Sequence, residues 1–314
     1  MDEDVVLDHL LFLPYSLKNL GGWNEYGWGL AFYNDSEPVV LRGNLSAEVD
    51  PYFDLTAELL ATSHAQIGIG HVRSAASGAS EIPNPHPFIR RKGGRYWAFG
   101  HNGILSKMVL RTLVGSEYLA NNPPTVGEDW EGPDVVDSDL YMLYILKCIE
   151  EENWNATTGI AKATADISKA DSGAMNFFLT DGETLWGFRK GNTLYYCHNE
   201  TFPRYSAIAS QPPDDHNAWI ALHDHNLVIL TIGKLPQVIQ NITTIPEHRS
   251  LTLILLLVLT QLAVVTCTIS RGRVMRSAQN GCFQIQMGEP SNFLSLSHSL
   301  PHSWSYHYSQ YQHC

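Results

Sequence analysis

The sequence has few basic residues for its length. Its 314 residues include 20 Lys and Arg against 32 Asp and Glu, and the formal net charge at neutral pH is −12. A protein that binds nucleic acid needs a basic surface to neutralise the phosphates. The composition therefore predicts no nucleic-acid partner.

Cysteine is scarce, and its spacing shows no pairs. None of the five cysteines stands in a C-x-x-C sequence, so the spacing indicates neither a zinc site nor a redox pair. The zinc-protease sequence H-E-x-x-H is absent as well. We therefore expect no metal and no cofactor. The five positions are Cys148, Cys197, Cys267, Cys282 and Cys314.

A secretory leader is not visible, because the chain opens with the acidic residues Asp2, Glu3 and Asp4 rather than an apolar run. Against this, five Asn-x-Ser/Thr sequences precede residue 250, and such sequences accept sugars outside the cytoplasm. They favour an extracytoplasmic domain. Their asparagines are Asn34, Asn44, Asn155, Asn199 and Asn241.

One long apolar run stands out, at residues 251–269, which contain no charged side chain. Roughly 20 apolar residues span a bilayer, and the basic residues that follow would place that side in the cytoplasm. We therefore predict a domain at 1–243, a linker at 244–250, a transmembrane helix at 251–269 and a disordered tail at 270–314. If the run is instead a buried core helix, a cytoplasmic location is expected.

Secondary-structure signals fall into three blocks: strand-like runs, two consecutive helices, and strand-like runs again. Helical spacing is also present in residues 5–20. Asp137 precedes a strong helical pattern, and Asp181-Gly182 is typical of a hairpin turn between two strands. Because helices and strands do not alternate, the order favours an α+β layered fold over a doubly wound sheet.

Five short segments follow one another in a fixed order: Gly27-Trp28-Gly29, His71-Val72-Arg73, Asn84-Pro85-His86-Pro87-Phe88, Gly100-His101-Asn102-Gly103 and Asp137-Ser138-Asp139. In order and spacing they resemble the class II glutamine amidotransferases, over about residues 5–240. The resemblance implies a four-layer αββα sandwich of the N-terminal-nucleophile hydrolase type. It also implies release of ammonia from a glutamine amide through a thioester on an N-terminal cysteine, whose α-amino group is the base.

The resemblance assigns roles to individual residues. Asn102 and Gly103 match the pair that stabilises the oxyanion, and Arg73 matches the arginine that binds the substrate α-carboxylate. Asp137 matches the carboxylate that receives the α-ammonium, and His71 and Trp28 are expected in the substrate pocket. Each also has a purely structural interpretation, such as a turn, a surface ion pair or a charge at a helix N-terminus. Asp139 takes the place of an acidic neighbour of Asp137 in the family. Two positions depart from the family pattern: Tyr26 replaces an aspartate, and Ala76 stands where a threonine is frequent.

The nucleophile itself is missing, because the chain begins Met1-Asp2 rather than with cysteine. As written, it is expected to be inactive and to lack a first strand beside the site. Three hypotheses stay open: an amidotransferase whose start lies upstream, a membrane-tethered pseudo-enzyme that binds glutamine or a γ-glutamyl compound, and, least favoured, a metal-dependent hydrolase using His71, His86 and His101. The expected partner is a small molecule, and the sequence does not determine the oligomeric state.

Overall fold

The structure is a computed structural model that describes residues 3–74, 86–201, 204–214 and 218–244, together with the backbone of 282–287. The helices in these ranges are α1 (Glu3–Leu7), α2 (Leu17–Gly21), α3 (Pro51–Thr62), α4 (Lys107–Val114), α5 (Ser116–Ala120), α6 (Asp137–Glu151) and α7 (Ala156–Ala170), with a π-helical turn at Asp8–Phe12 and a 3-10 turn at Ile242–Thr244.

The strands are β1 (Trp28–Tyr33), β2 (Pro38–Gly43), β3 (Ile67–Val72), β4 (Phe88–Lys92), β5 (Arg95–Gly103), β6 (Met175–Thr180), β7 (Thr184–Phe188), β8 (Tyr195–Asn199), β9 (Tyr205–Ala209), β10 (Ile220–Ala221), β11 (Leu227–Thr231), β12 (Gln237–Ile239) and β13 (Cys282–Met287). They form a seven-stranded sheet in the order β10-β8-β9-β13-β3-β1-β2 and a six-stranded sheet in the order β12-β11-β7-β6-β5-β4.

The two sheets face each other and carry helices on their outer sides. A core between the sheets includes Ile69, Phe178 and Ile208. A second core joins α6 and α7 to the six-stranded sheet, and a third joins α1 and α3 to the seven-stranded sheet. The layers therefore run helix, sheet, sheet, helix, which is the mixed α+β arrangement that the order of elements predicted.

The helical spacing in residues 5–20 does not form one helix. After α1 and the π-helical turn, Leu13 adopts an extended backbone with ψ of 154°. The cause is Pro14, because the residue before a proline is pushed out of the helical region. The chain re-enters a helix at α2, where the Ser16 hydroxyl accepts a hydrogen bond from the Asn19 N–H.

Within the predicted tail, residues 282–287 form the strand β13. β13 lies between β3 and β9, with Cys282 opposite His71 and Phe283 opposite Gly70. Its apolar residues alternate along Cys282–Met287, a pattern typical of strands. By pairing on both sides, β13 satisfies backbone groups of β3 and β9 that would otherwise form two open edges.

No helix in the described ranges is long and apolar enough to cross a membrane. The predicted span at 251–269 lies outside the described residues. So do residues 245–250 of the predicted linker and all of the predicted tail except 282–287.

Candidate active site

The alternation of side chains along β3 directs His71 and Arg73 into the space between the two sheets. Ile67 and Ile69 lie in the inter-sheet core, and His71 follows in the same phase. The N–H of Arg73 donates to the carbonyl of Gly27 at 2.9 Å, which continues the pairing one residue beyond the strand. Both side chains are buried, with 6 % of His71 and 3 % of Arg73 exposed. A guanidinium buried this deeply is an unusual feature of the inter-sheet space.

β5 faces the same space from the other sheet. Ala98 belongs to the inter-sheet core, whereas Phe99 packs under the outer helices, so Asn102 points inward in phase with Ala98. The imidazole of His71 makes a hydrogen bond to the backbone of His101. This contact joins the end of β3 to β5 one residue before Asn102. The structure thus directs His71, Arg73 and Asn102 toward the same inter-sheet space, and their predicted roles toward a substrate stay predictions.

The His101 side chain points to the opposite side of β5, under α6. Its Nε2 lies 3.2 Å from the carbonyl oxygen of Ala174, and its Nδ1 lies 3.0 Å from the hydroxyl of Ser138. A backbone carbonyl only accepts, so Nε2 carries the proton and Nδ1 accepts from Ser138. His101 therefore ties β5 to the N-terminus of α6 and to the residue that precedes β6.

Asp137 begins α6 beside the same strand. Its Oδ2 accepts a hydrogen bond from the N–H of Leu105 at 2.8 Å, and it lies 3.9 Å from Nδ1 of His101. The carboxylate is buried, and it also complements the positive end of the helix dipole. Asp137 thus holds the turn that follows Gly103. Its predicted contact with a substrate ammonium stays a prediction.

Two motif glycines are required by close packing. A Cβ at Gly29 would lie 1.9 Å from the carbonyl oxygen of His86, so the segment that carries His86 rests directly on β1. A Cβ at Gly103 would lie 2.0 Å from the carbonyl oxygen of Ala174. Packing against the backbone of the residue before β6 is thus sufficient reason for a glycine at position 103.

Two buried histidines, His71 and His86, lie near Arg73. The rings of His71 and His86 stack with their centroids 4.1 Å apart. Burial lowers the pKa of His71 to about 3; the hydrogen bond to the His101 backbone opposes this shift, and the charge of Arg73 adds to it. Burial, followed by the neighbouring histidines and arginines, lowers the pKa of His86 well below its usual value. These imidazoles are neutral at pH 7, so they serve as hydrogen-bonding and packing groups beside the guanidinium.

The histidines do not form a metal site in the part of the chain that the structure describes. No group of three or more His, Cys, Asp or Glu side chains there has the arrangement needed to hold a metal ion. The metal-hydrolase hypothesis for His71, His86 and His101 thus finds no support.

The prediction that Trp28 lines the substrate pocket is wrong. Its indole N–H donates to Oδ2 of Asp50 at 2.8 Å, and its ring packs edge-on against Phe53 of α3. Successive side chains in a strand point to opposite faces, and Gly29 is the residue that pairs with His71. Trp28 therefore belongs to the core under the helices, on the other face of the sheet.

Asp139 also has a structural role. Its carboxylate lies 2.7 Å from the Arg90 guanidinium and accepts the N–H of Thr125 at 2.6 Å. Only 3 % of the Asp139 side chain is exposed. This buried pair fastens α6 to β4 and to the loop that precedes the helix.

The two cysteines whose side chains are described are not nucleophiles. Cys148 lies in α6 and Cys197 in β8, and both are buried and unpaired. Burial raises the pKa of Cys148 to about 11 and that of Cys197 to about 12. Both are therefore thiols at neutral pH, and the thiolate is the reactive form.

The sequence motifs missed two residues at the site, Asn176 and Asn192. Asn176 pairs in register with Asn102 on the adjacent strand, and Asn192 contacts the Asn102 amide. Asn192 lies in a Gly-Asn turn, and Asn176 lies inside a strand, so their residue types gave no functional signal. Only strand pairing and loop packing place them beside the motif.

The comparison with protein families decides which family has this site. Residues 9–205, more than half of the chain, match the model of the class II glutamine amidotransferases. The chain belongs to this family. The recognition of the family from its motifs is thus confirmed.

Curated relatives support the assignment. The chain is 29 % identical over 183 residues to an uncharacterised protein of Methanocaldococcus jannaschii, a match that covers 55 % of this chain and 45 % of that protein. It is also 29 % identical over 216 residues to YafJ of Escherichia coli, whose name assigns it provisionally to the glutamine amidotransferases; this match covers 67 % of the chain and 78 % of YafJ. The chain thus spans less than half of the archaeal relative.

A solved structure shares the fold. The chain is similar to the allosteric regulatory enzyme of purine biosynthesis with a TM-score of 0.56 and 17 % identity, over 79 % of this chain and 48 % of the other. At this identity the similarity concerns the fold alone. It supports the mixed α/β sandwich expected for the N-terminal-nucleophile hydrolases.

Proposed function

We propose that this domain binds L-glutamine or a γ-glutamyl amide in the space between the two sheets, at the ends of β3 and β5. The single observation that carries the proposal is the convergence of Arg73, His71 and Asn102 in that space. It combines a buried cation with an amide that can bind a carbonyl group. A ligand with a carboxylate at one end and an amide at the other matches both groups.

Each residue has a physical role in this proposal. The Arg73 guanidinium binds the ligand α-carboxylate in a bidentate, charge-assisted contact. His71 and His86 stay neutral beside Arg73, so they do not attract the carboxylate away from it. Asn102 and Gly103 donate to the γ-carbonyl oxygen, where negative charge would develop during amide cleavage. Asp137 receives the α-ammonium group.

Amide cleavage needs a thiolate in addition to this pocket. In its complete form the domain would release ammonia through a thioester on an N-terminal cysteine, with the α-amino group of that cysteine as the base. Cys148 and Cys197 cannot supply the thiolate, because burial keeps both protonated. The second candidate is a module that binds glutamine or a γ-glutamyl compound without cleaving it.

The test is calorimetric titration of the full chain with L-glutamine, together with an assay for released ammonia. We expect Arg73→Gln to weaken binding by about 30-fold or more, since removing one partner of a buried charged contact costs about 2–5 kcal/mol. Arg95→Gln is the matched control, because Arg95 is half exposed and contacts Asp181 and the Trp97 ring rather than the proposed pocket. Binding with ammonia release indicates an enzyme, and binding without it a binding module. Absence of binding would refute both.

An extracytoplasmic location of the domain remains part of the proposal. Membrane attachment through a span at 251–269 does not, because a span would separate the tail from the domain by the bilayer, whereas β13 pairs with β3 and β9 inside the sheet. The exposure of Asn34, Asn44 and Asn241 supports the extracytoplasmic location, since a sugar must reach the asparagine. A mass shift on glycosidase treatment of the expressed full chain tests it.

A further inference from the structure

We propose that Asn192 is a positioning residue that sets the orientation of the Asn102 side-chain amide. Through this contact it decides whether the pocket offers a donor or an acceptor to the ligand γ-carbonyl oxygen. The inference rests on the proposed function, because it assigns Asn102 to that carbonyl. It adds a residue that the sequence motifs do not contain.

The geometry determines which end of each amide faces the other. Nδ2 of Asn192 lies 3.1 Å from the backbone oxygen of Asn102 and 3.1 Å from its side-chain Oδ1. A backbone carbonyl can only accept, so the Asn192 atom at this position must be the NH2 group. An NH2 group requires an acceptor, so the Asn102 atom that faces it is the oxygen. The Nδ2 of Asn102 is therefore directed away from Asn192.

Hydrogen bonds from neighbouring side chains hold the main chain of Asn192 in place. Its carbonyl oxygen accepts from Nδ2 of Asn176 at 3.0 Å and from Nε of Arg189 at 2.9 Å. Oδ1 of Asn176 accepts the N–H of Lys190 at 2.9 Å, so one buried amide bonds to both sides of the turn. Only 1 % of Asn176 is exposed, and it pairs with Asn102 in register. The turn is thus anchored to the strand beside Asn102.

The turn also has a second anchor. The N–H of Gly191 donates to the Asp224 carboxylate at 2.9 Å, and φ of Gly191 is +101°, a conformation that favours glycine. With both sides of the turn fixed, the Asn192 side chain has little freedom to follow a reorienting Asn102. Asn192 therefore constrains Asn102 rather than the reverse.

Substitution of Asn192 by aspartate tests whether the orientation of the Asn102 amide matters, and not only the presence of that amide. A carboxylate presents only acceptors, so it repels both the backbone oxygen and Oδ1 of Asn102. Of these two groups only the side-chain amide can respond, by turning half a rotation to donate its NH2 group to the carboxylate. The Asn102 oxygen would then face the ligand carbonyl, which cannot donate to it. Asn192→Ala removes the constraint without imposing the opposite orientation, so its effect is expected to be smaller.

The experiment measures dissociation constants of the full chain for L-glutamine and for L-norvaline, which keeps the α-amino and α-carboxylate groups but lacks the γ-carbonyl. We expect Asn192→Asp to weaken L-glutamine binding by about tenfold or more, since a buried group loses its hydrogen bond, and to change L-norvaline binding less than about twofold. Asn121→Asp is the control, because Asn121 is exposed and bonds only within its own helix. Equal weakening of both ligands, or no weakening of glutamine, would overturn the proposal.

A measurement without ligand keeps this inference separate from the proposed function. In protein labelled with 15N only at asparagine, the Asn102 side-chain NH2 signals should move downfield in Asn192→Asp and not in Asn121→Asp. If the wild-type chain binds neither amino acid, the proposed function fails while these signals still test the orientation. Unchanged Asn102 signals would overturn the inference. If Asn192→Asp does not fold, Asn192→Ala replaces it in both measurements, with a smaller loss of glutamine affinity and shifted Asn102 signals expected.

Discussion

Lowering the pH should destabilise this domain, because it buries histidines in their neutral form. Burial lowers the pKa of His9 to about 4 and that of His71 to about 3, although Asp214 partly opposes the shift at His9. In the unfolded chain a histidine titrates near pH 6.5. Between these values the unfolded state binds more protons than the folded state. Stability is therefore greatest above about pH 6.5 and falls as the pH decreases.

The size of the effect follows from the number of protons. Each proton that only the unfolded chain binds changes the free energy of unfolding by about 1.4 kcal/mol per pH unit. His9 and His71 together therefore give a slope of about 2.7 kcal/mol per pH unit between about pH 6 and pH 4. At pH 5 the accumulated loss is about 4 kcal/mol, out of a total stability that is typically 5–15 kcal/mol. His86 and His101, whose pKa values are also lowered, act in the same direction.

The raised pKa of Asp8 acts in the opposite direction. Burial and the nearby carboxylates Asp4 and Asp214 raise it. The folded state therefore binds a proton at Asp8 before the unfolded state does, and this gain sets in only as the pH approaches the carboxylate range. Between pH 7 and pH 5 the histidine contribution should dominate.

The assay is urea unfolding at several pH values from 7 to 5, followed by tryptophan fluorescence. His9→Gln should reduce the slope by about 1.4 kcal/mol per pH unit, since it removes one of the two histidines that bind a proton only in the unfolded chain. His64→Asn is the control, because His64 is exposed and asparagine tolerates its left-handed backbone (φ of 56°). A free energy of unfolding that does not change over this range, or an unchanged slope in His9→Gln, would refute the reasoning.

Further predictions concern packing and hydrogen bonding, and urea unfolding tests all of them. Gly29→Ala should destabilise the domain by about 2 kcal/mol or more, because its methyl group would lie 1.9 Å from a backbone carbonyl oxygen, whereas at Gly68 the nearest atom is 3.4 Å away and alanine should be tolerated. Trp28→Phe should lower the free energy of unfolding by about 1–3 kcal/mol through the lost indole hydrogen bond, with no change in affinity for L-glutamine. A weakened affinity would show that Trp28 contributes to the pocket after all. Arg90→Ala should cost about 3–5 kcal/mol by leaving a buried carboxylate unpaired, while Lys18→Ala, at a more exposed pair, should cost under about 1 kcal/mol.

Several elements could be predicted from the sequence because their signals are local. The helical period after Asp137 predicted α6, and Asp181-Gly182 predicted the hairpin that joins β6 to β7, where φ of Gly182 is +90°. β4 was missed because Arg90, Arg91 and Lys92 do not look like a strand. It is the edge strand of its sheet, and charged side chains are typical of sheet edges.

The candidate site was only partly predictable. The motifs named His71, Arg73 and Asn102, which strand phase directs into the space between the sheets; their roles toward a ligand stay predictions. They misplaced Trp28, since a motif does not state which face of a strand each residue occupies. One residue along β1 separates the ligand side from the helix-covered core. Asn192 could not be predicted, because its role exists only through a contact with a strand ninety residues earlier in the chain.

The sequence by itself determined the order of the elements, the acidic balance, and the motif residues that identify the family. These follow from residue type and short-range spacing, which the chain carries in any conformation. Only the tertiary structure decided which motif residues share a space and which belong to the core. It also decided that Cys282–Met287, in the predicted tail, pairs between β3 and β9. Such pairings depend on which strands meet across long stretches of chain, and no local pattern encodes them.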